Sequence, residues 1–160
     1  LFFPESHLDL VRVGLGVYGM YPDSRRALHL KPALNLKTKV AFVKRVPSGS
    51  AVSYDSTYVT LKETSLAVLP IGYADGLSRG LSNKGQVLIQ ETFCPMVGNV
   101  TMDHTLVDVG DLPVQIGDEV VLLGSQGERE IQANTWARLL GTINYEITCM
   151  LSSRIERVYL

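Results

Sequence analysis

From Leu36 onward the chain is a series of short apolar runs broken by turn residues, and this texture predicts strands rather than helices. Lys37 to Val46 alternates with a period of two around Val40, Phe42 and Lys44 and stops at Pro47-Ser48-Gly49, which predicts one strand. Ser65 to Ile71, Gln86 to Gln90, Met96 to Val100, Thr105 to Val109 and Glu119 to Leu123 predict further strands. Their spacing points to a mostly antiparallel barrel or sandwich. One helix stands out at Ile131 to Leu140, with apolar residues at 133, 136, 137 and 140 and Gly141 as its stop. A second helical turn is expected around Tyr145 to Met150.

The first 35 residues read differently. Leu8 to Gly19 predicts a strand ending in glycine-rich backbone, and Met20 to Asn35, punctuated by Pro22-Asp23-Ser24 and Lys31-Pro32, predicts a loop or linker. A domain boundary is placed there. The chain opens on Leu1-Phe2-Phe3-Pro4 without an initiator methionine, so it is expected to be a cut through a larger polypeptide.

Composition narrows the function. With 15 basic and 16 acidic residues spread along 160 positions, no basic patch for nucleic acid or an anionic membrane is present. No apolar run approaches the ~20 residues needed to span a bilayer. Cys94 and Cys149 stand far apart, as do His7, His29 and His104, so neither a zinc site nor a disulfide framework is indicated and no metal is expected. A cytoplasmic protein is expected.

Chemistry-bearing residues fall in short motifs: Val11-Arg12-Val13-Gly14-Leu15, Val52-Ser53-Tyr54, Ile71-Gly72-Tyr73-Ala74-Asp75-Gly76, Val100-Thr101-Met102-Asp103 and Ile143-Asn144-Tyr145-Glu146. Each alone is weak. Asp75-Gly76 would serve any tight turn, and Met102 would serve any core. In their order and contexts the motifs resemble the carboxy-terminal part of the alanine racemases, over about Ser6 to Val158.

That resemblance implies a mainly β carboxy-terminal domain with a barrel-like sheet at residues 36–160, preceded at residues 1–35 by the last piece of a (β/α)8 barrel. It implies pyridoxal 5′-phosphate as cofactor, alanine as substrate, and a head-to-tail homodimer, with D-alanine made for peptidoglycan. Tyr54 matches the base for the L-enantiomer; an ordinary phenol has a pKa of about 10, so its surroundings must favour phenolate. Arg12 matches the donor to the pyridine nitrogen, Gly14 and Leu15 the main-chain amides of the phosphate site, and Tyr145 a hydroxyl joining that site. Met102 matches the main-chain contact to the substrate carboxylate, and Tyr73 and Asp103 match the substrate entrance. Tyr54 and Met102 are then expected to serve the partner subunit, and Arg12, Gly14, Leu15 and Tyr145 their own.

Two positions depart from the pattern. Asp55 stands where relatives usually carry glycine, although aspartate tolerates left-handed backbone. Asn99 stands where many carry arginine, so a charge at the entrance is expected to be missing. None of Lys31, Lys37, Lys39, Lys44, Lys62 or Lys84 lies in the family's cofactor-lysine context, and the His-x-x-Asn-Ser phosphate segment is absent, so the isolated chain is expected to be inactive. Two alternatives stay open: a racemase of another small amino acid such as serine, or a racemase module within a fusion, and a non-catalytic β-barrel association module.

Overall fold

The computed structural model describes residues 3–22 and 30–159; Leu1, Phe2, His29 and the Asp23-Ser24 part of the expected linker lie outside the described residues. Among these described residues ten strands and two α-helices follow in order: β1 (Leu36–Lys39), β2 (Phe42–Val46), β3 (Ala51–Val52), β4 (Tyr58–Val59), β5 (Thr64–Leu69), β6 (Gln86–Ile89), β7 (Thr92–Pro95), β8 (Thr105–Gly110), β9 (Glu119–Gln126), β10 (Arg129–Ile131), α1 (Ala133–Leu140) and α2 (Asn144–Cys149). Every strand pair is antiparallel. The mainly β expectation holds.

One sheet runs β1-β9-β6-β7 with β10 on β9, a second runs β2-β5-β8, and β3 pairs β4 in a small hairpin. Two links join the larger sheets. The Val40 amide donates to Asp118 O beside β9 (3.0 Å), whereas the next amide, Ala41, donates to Val68 O of β5 (2.9 Å). At the other end Met96 bridges Val107 of β8, and Val97 N–H donates to Leu106 O (2.9 Å). Neighbours therefore return to β9 in a barrel-like ring.

The single strand expected from Lys37 to Val46 is thus two. Val40 is 1% exposed and Phe42 51%, so they do not share a face. Transfer from one sheet to the other at Val40-Ala41 resets the in-out parity, which simple alternation does not register. β8 keeps the clean period of two, with Thr105, Val107 and Val109 inside. Val120 to Leu123 of β9 are all buried, as a run covered on both faces requires. One face meets the ring interior, and α1 joins the same core through Trp136 and Ala137.

Met96 to Val100 is not a strand beyond the Met96 bridge; the strand lies earlier, at β7. Its hairpin with β6 turns on Gln90 (φ 48°) and Glu91 (φ 59°), two positive-φ residues without the usual Asn-Gly signal. The helix reading survives, and Gly141 (φ 69°) ends α1 in left-handed backbone, donating to the Ala137 and Arg138 carbonyls. Leu8 to Gly19 is not a strand: residues 10–14 are irregular, and Leu15–Tyr18 is a 3-10 turn. Among the described residues no strand lies alongside to satisfy its backbone, and Val11 and Val13 are exposed.

Candidate functional site

β5 enters the site at its carboxy end. After Leu69 the chain turns through Gly72 into a 3-10 turn, Tyr73–Asp75, whose Asp75 carboxylate accepts the Gly72 amide at 2.9 Å. Two further amides cross to the segment before β8: Tyr73 N–H donates to Thr101 O (2.9 Å) and Ala74 N–H to Met102 O (3.0 Å). A Cβ at Gly72 would stand 2.2 Å from Thr101 O and 2.3 Å from Met102 O, so only glycine permits this docking. Two of the sequence motifs are therefore one structural unit.

The Tyr54 motif leaves the β3 strand in unusual backbone. Ser53 (φ 64°, ψ −172°), Asp55 (φ 62°) and Ser56 (φ 49°) all have positive φ. Such conformations cost on the order of 1–3 kcal/mol each for side-chain-bearing residues and persist only where neighbours hold them. Aspartate at 55 does adopt the left-handed geometry that glycine would take freely. Asn99, 7% exposed, packs against this loop, and its Nδ2 donates to Tyr54 O (2.9 Å) and Asp55 Oδ2 (3.2 Å).

Tyr54, Tyr73, Asn99, Met102 and Asp103 line one cleft of about 580 Å³, with Arg79 at its edge. Tyr54 is 72% exposed and Met102 53%, so neither is a core filler. Among the described residues, the hydroxyls of Tyr54 and Tyr73 and the Met102 amide have no hydrogen-bond partner. These donors remain open to a ligand. Arg154, which no motif marks in the sequence, braces the cleft from the carboxy-terminal segment. It reaches Asp103 Oδ1 at 2.8 Å and Asp75 Oδ1 at 3.5 Å, so one guanidinium ties both docked motifs. The Asp103 hydrogen bond and then the Asp75 charge raise the Arg154 pKa.

The remaining predicted residues lie elsewhere. Tyr145, half exposed on α2, lines a larger cavity of about 780 Å³ together with Tyr18 and Gly19, the end of the 3-10 turn that Leu15 begins. Asn144 ties this region together, donating to Asn134 Oδ1 of α1 and to Tyr21 O, both at 2.7 Å. Arg12, Gly14 and Leu15 line neither cavity. Arg12 is exposed and makes no hydrogen bond or ion pair among the described residues; a Cβ at Gly14 would meet nothing within 4 Å. The structure thus gathers Tyr54, Tyr73, Met102 and Asp103 in one cleft, sets Tyr145 in another cavity, and leaves Arg12, Gly14 and Leu15 outside both.

Among the described residues, no three His, Cys, Asp or Glu side chains gather as a metal site, and no helix is long and apolar enough to cross a membrane. Partners of Arg154 and Asn99 stand dozens of positions away in sequence, so neither carries a local signal.

Residues 33–159 match the family model described as alanine racemase, C-terminal domain. The alanine racemase of Carboxydothermus hydrogenoformans is 52% identical over 160 residues, covering 98% of this chain and 44% of the relative. That of Desulfosudis oleivorans is 49% identical over 160 residues, covering 98% and 41%. The crystal structure of alanine racemase from D-cycloserine producing Streptomyces lavendulae matches with a TM-score of 0.93 and 43% identity, over 99% of this chain and 43% of that one. The chain spans less than half the length of these relatives. With fold, motif order and sequence in agreement, the chain belongs to the alanine racemase family, as its C-terminal domain.

Proposed function

We propose that the chain works as the carboxy-terminal part of an alanine racemase, interconverting L- and D-alanine in the cytoplasm as a homodimer with pyridoxal 5′-phosphate. Residues 1–35 are then the tail of the cofactor-binding barrel, and the lysine that holds the cofactor is supplied from outside the 160 residues. One observation carries the reading: Tyr54 and Met102 present unused donors in one cleft, while Arg12, Gly14, Leu15 and Tyr145 lie apart from it. On this reading the base and the cofactor residues of one site come from two copies, and a two-fold dimer supplies the second.

The cofactor, when bound, supplies an electron-withdrawing ring that makes the alanine Cα proton acidic enough to leave. The residues present fit it. Gly14 offers open backbone for a phosphate, Tyr145 a half-exposed hydroxyl, and Arg12 an unpaired guanidinium whose N–H would donate to the pyridine nitrogen and leave it unprotonated. In the partner's site the Tyr54 oxygen takes the Cα proton on one face of L-alanine or returns it there. The Met102 amide holds the substrate carboxylate, which limits its rotation and presents that face to the phenol. Tyr73 and Asp103 border the approach.

The test is subunit complementation in the full-length enzyme. Tyr54→Phe and Arg12→Ala chains are each expected to be slow, yet their mixed dimer contains one site with both residues intact. Co-expression should recover about a quarter of wild-type activity, since half of a random mixture is mixed dimer with one good site of two. Activity no higher than that of the separate variants would place both residues in one subunit's site and sink the proposal.

A further inference from the structure

We propose that Asn99 is a positioning residue for Tyr54, clamping the loop that aims the phenol and thereby setting proton transfer on one face of the substrate. The inference rests on the reading of Tyr54 as a base. Tyr54 is 72% exposed, so packing does little to direct its side chain. Its aim is left to the backbone that carries it, and that backbone is strained on both sides, at Ser53 and at Asp55-Ser56.

Asn99 holds three consecutive residues of this loop. Its Nδ2 donates to Tyr54 O (2.9 Å) and Asp55 Oδ2 (3.2 Å), and its main-chain carbonyl accepts the Ser53 hydroxyl at 2.7 Å. Because both neighbours of the side-chain amide are oxygens, only the nitrogen can face them. Arg79 is the competing anchor, but it stands 3.9 Å from Asp55, with both side chains mostly exposed. A screened contact of that length restrains little. Asn99 itself is set from behind: Gly98 N–H donates to Asn83 Oδ1 (2.6 Å), and Asn83 Nδ2 reaches Thr57 Oγ1 (3.1 Å) on the far side of the loop. Gly98 (φ 75°) lies so close beneath Ser53 that a Cβ would meet Ser53 Cβ and Val52 O at 2.7 Å. The loop, Asn99 and Asn83 form one hydrogen-bonded cradle. In this chain the position carries an anchor for the base loop, where arginine would bring a charge.

The experiment uses the full-length holoenzyme and four variants, Tyr54→Phe, Asn99→Ala, their double and Ser53→Gly, with turnover and Cα deuterium exchange measured from each enantiomer, alongside a thermal melt. Asn99→Ala should lower kcat by about ten- to a hundredfold, the scale of loss for a misplaced reacting group. Exchange from L-alanine should slow and exchange from D-alanine persist, an asymmetry that a general loss of structure does not produce. In a Tyr54→Phe background the same substitution should add less than about twofold, as residues acting through one another are not additive. Ser53→Gly guards against a folding failure: glycine adopts the φ and ψ of residue 53 freely, so the variant should melt no lower than wild type, yet lose the hydroxyl bond and slow L-alanine exchange about fivefold. If Tyr54→Phe is harmless, the base reading falls, and this inference with it. If Tyr54→Phe is damaging while Asn99→Ala and Ser53→Gly keep wild-type turnover, or slow both enantiomers equally, the positioning role alone is overturned.

Discussion

The ring interior and the Tyr54 cleft are built on opposite terms. Inside, Leu69, Leu88, Val107 and Val120 are fully buried, and the strand ladders absorb their backbone hydrogen bonds. At the cleft, two phenols and a methionine stand exposed, the Tyr54 loop has strained backbone on both sides, and side-chain hydrogen bonds from Asn99 and ion pairs from Arg154 hold the parts together. Apolar burial stabilises at about 25 cal/mol per Å², so the interior can tolerate a rim that contributes little or costs something. Stability and chemistry reside in different parts of a small domain, and each should be removable without the other.

The largest effect expected is chemical. Tyr54→Phe in the full-length enzyme should cost about 10² to 10⁴ in turnover, the usual loss for a positioned acid-base group. It should leave the melting temperature unchanged, because the hydroxyl bonds nothing among the described residues. A melt lowered as strongly as turnover would mean that the cleft also carries the fold. Next comes the reverse case. Leu88→Ala, in β6 at the centre of the larger sheet, should cost about 2–5 kcal/mol of stability through lost burial and a residual cavity. Measured by urea unfolding, that loss should come with near-normal kcat per folded molecule below the transition.

The same division decides what could be read in the sequence. β8 and α1 announce themselves because burial imposes a period, β9 because a strand covered on both faces is a continuous apolar run, and Gly141 ends α1 by its conformational freedom. The sheet change at Val40-Ala41 and the Gln90-Glu91 turn do not, since they depend on tertiary bends and on positive φ in residues that rarely signal it. At the cleft, motif order marked Tyr54, Tyr73, Met102 and Asp103, and the structure brings those four together. Asn99 read as a missing charge because its substitution was visible and its partners, 44 and 45 positions away, were not. Arg154 was silent for the same reason. Residues 8–14 carry a strand-like pattern without a strand, because alternation records where a segment packs and forms no sheet unaided.

The smallest effect sharpens the comparison through the two thiols. Cys94, 2% exposed in β7, faces the interior; Cys149 is exposed on α2. Burial, and then the Asp108 charge, push the Cys94 thiol from 9.0 up to about 11. The fold therefore favours the protonated thiol, a contribution fully present below about pH 9 and lost as pH rises through about 11. Tyr58 adds in the same direction: burial, then the Asp108 charge and hydrogen bond, raise its pKa above 10.0, so its contribution also disappears under alkaline conditions. At pH 8 a disulfide reagent should titrate Cys149 rapidly, while Cys94 waits for unfolding, being both sterically closed and protonated. The urea midpoint should fall between pH 9 and pH 11, and Cys94→Val should flatten part of that decline while Tyr58→Phe flattens another part. Equal rates at both thiols in the native protein would show that the interior opens as readily as the rim, and the contrast between the two regions would fail.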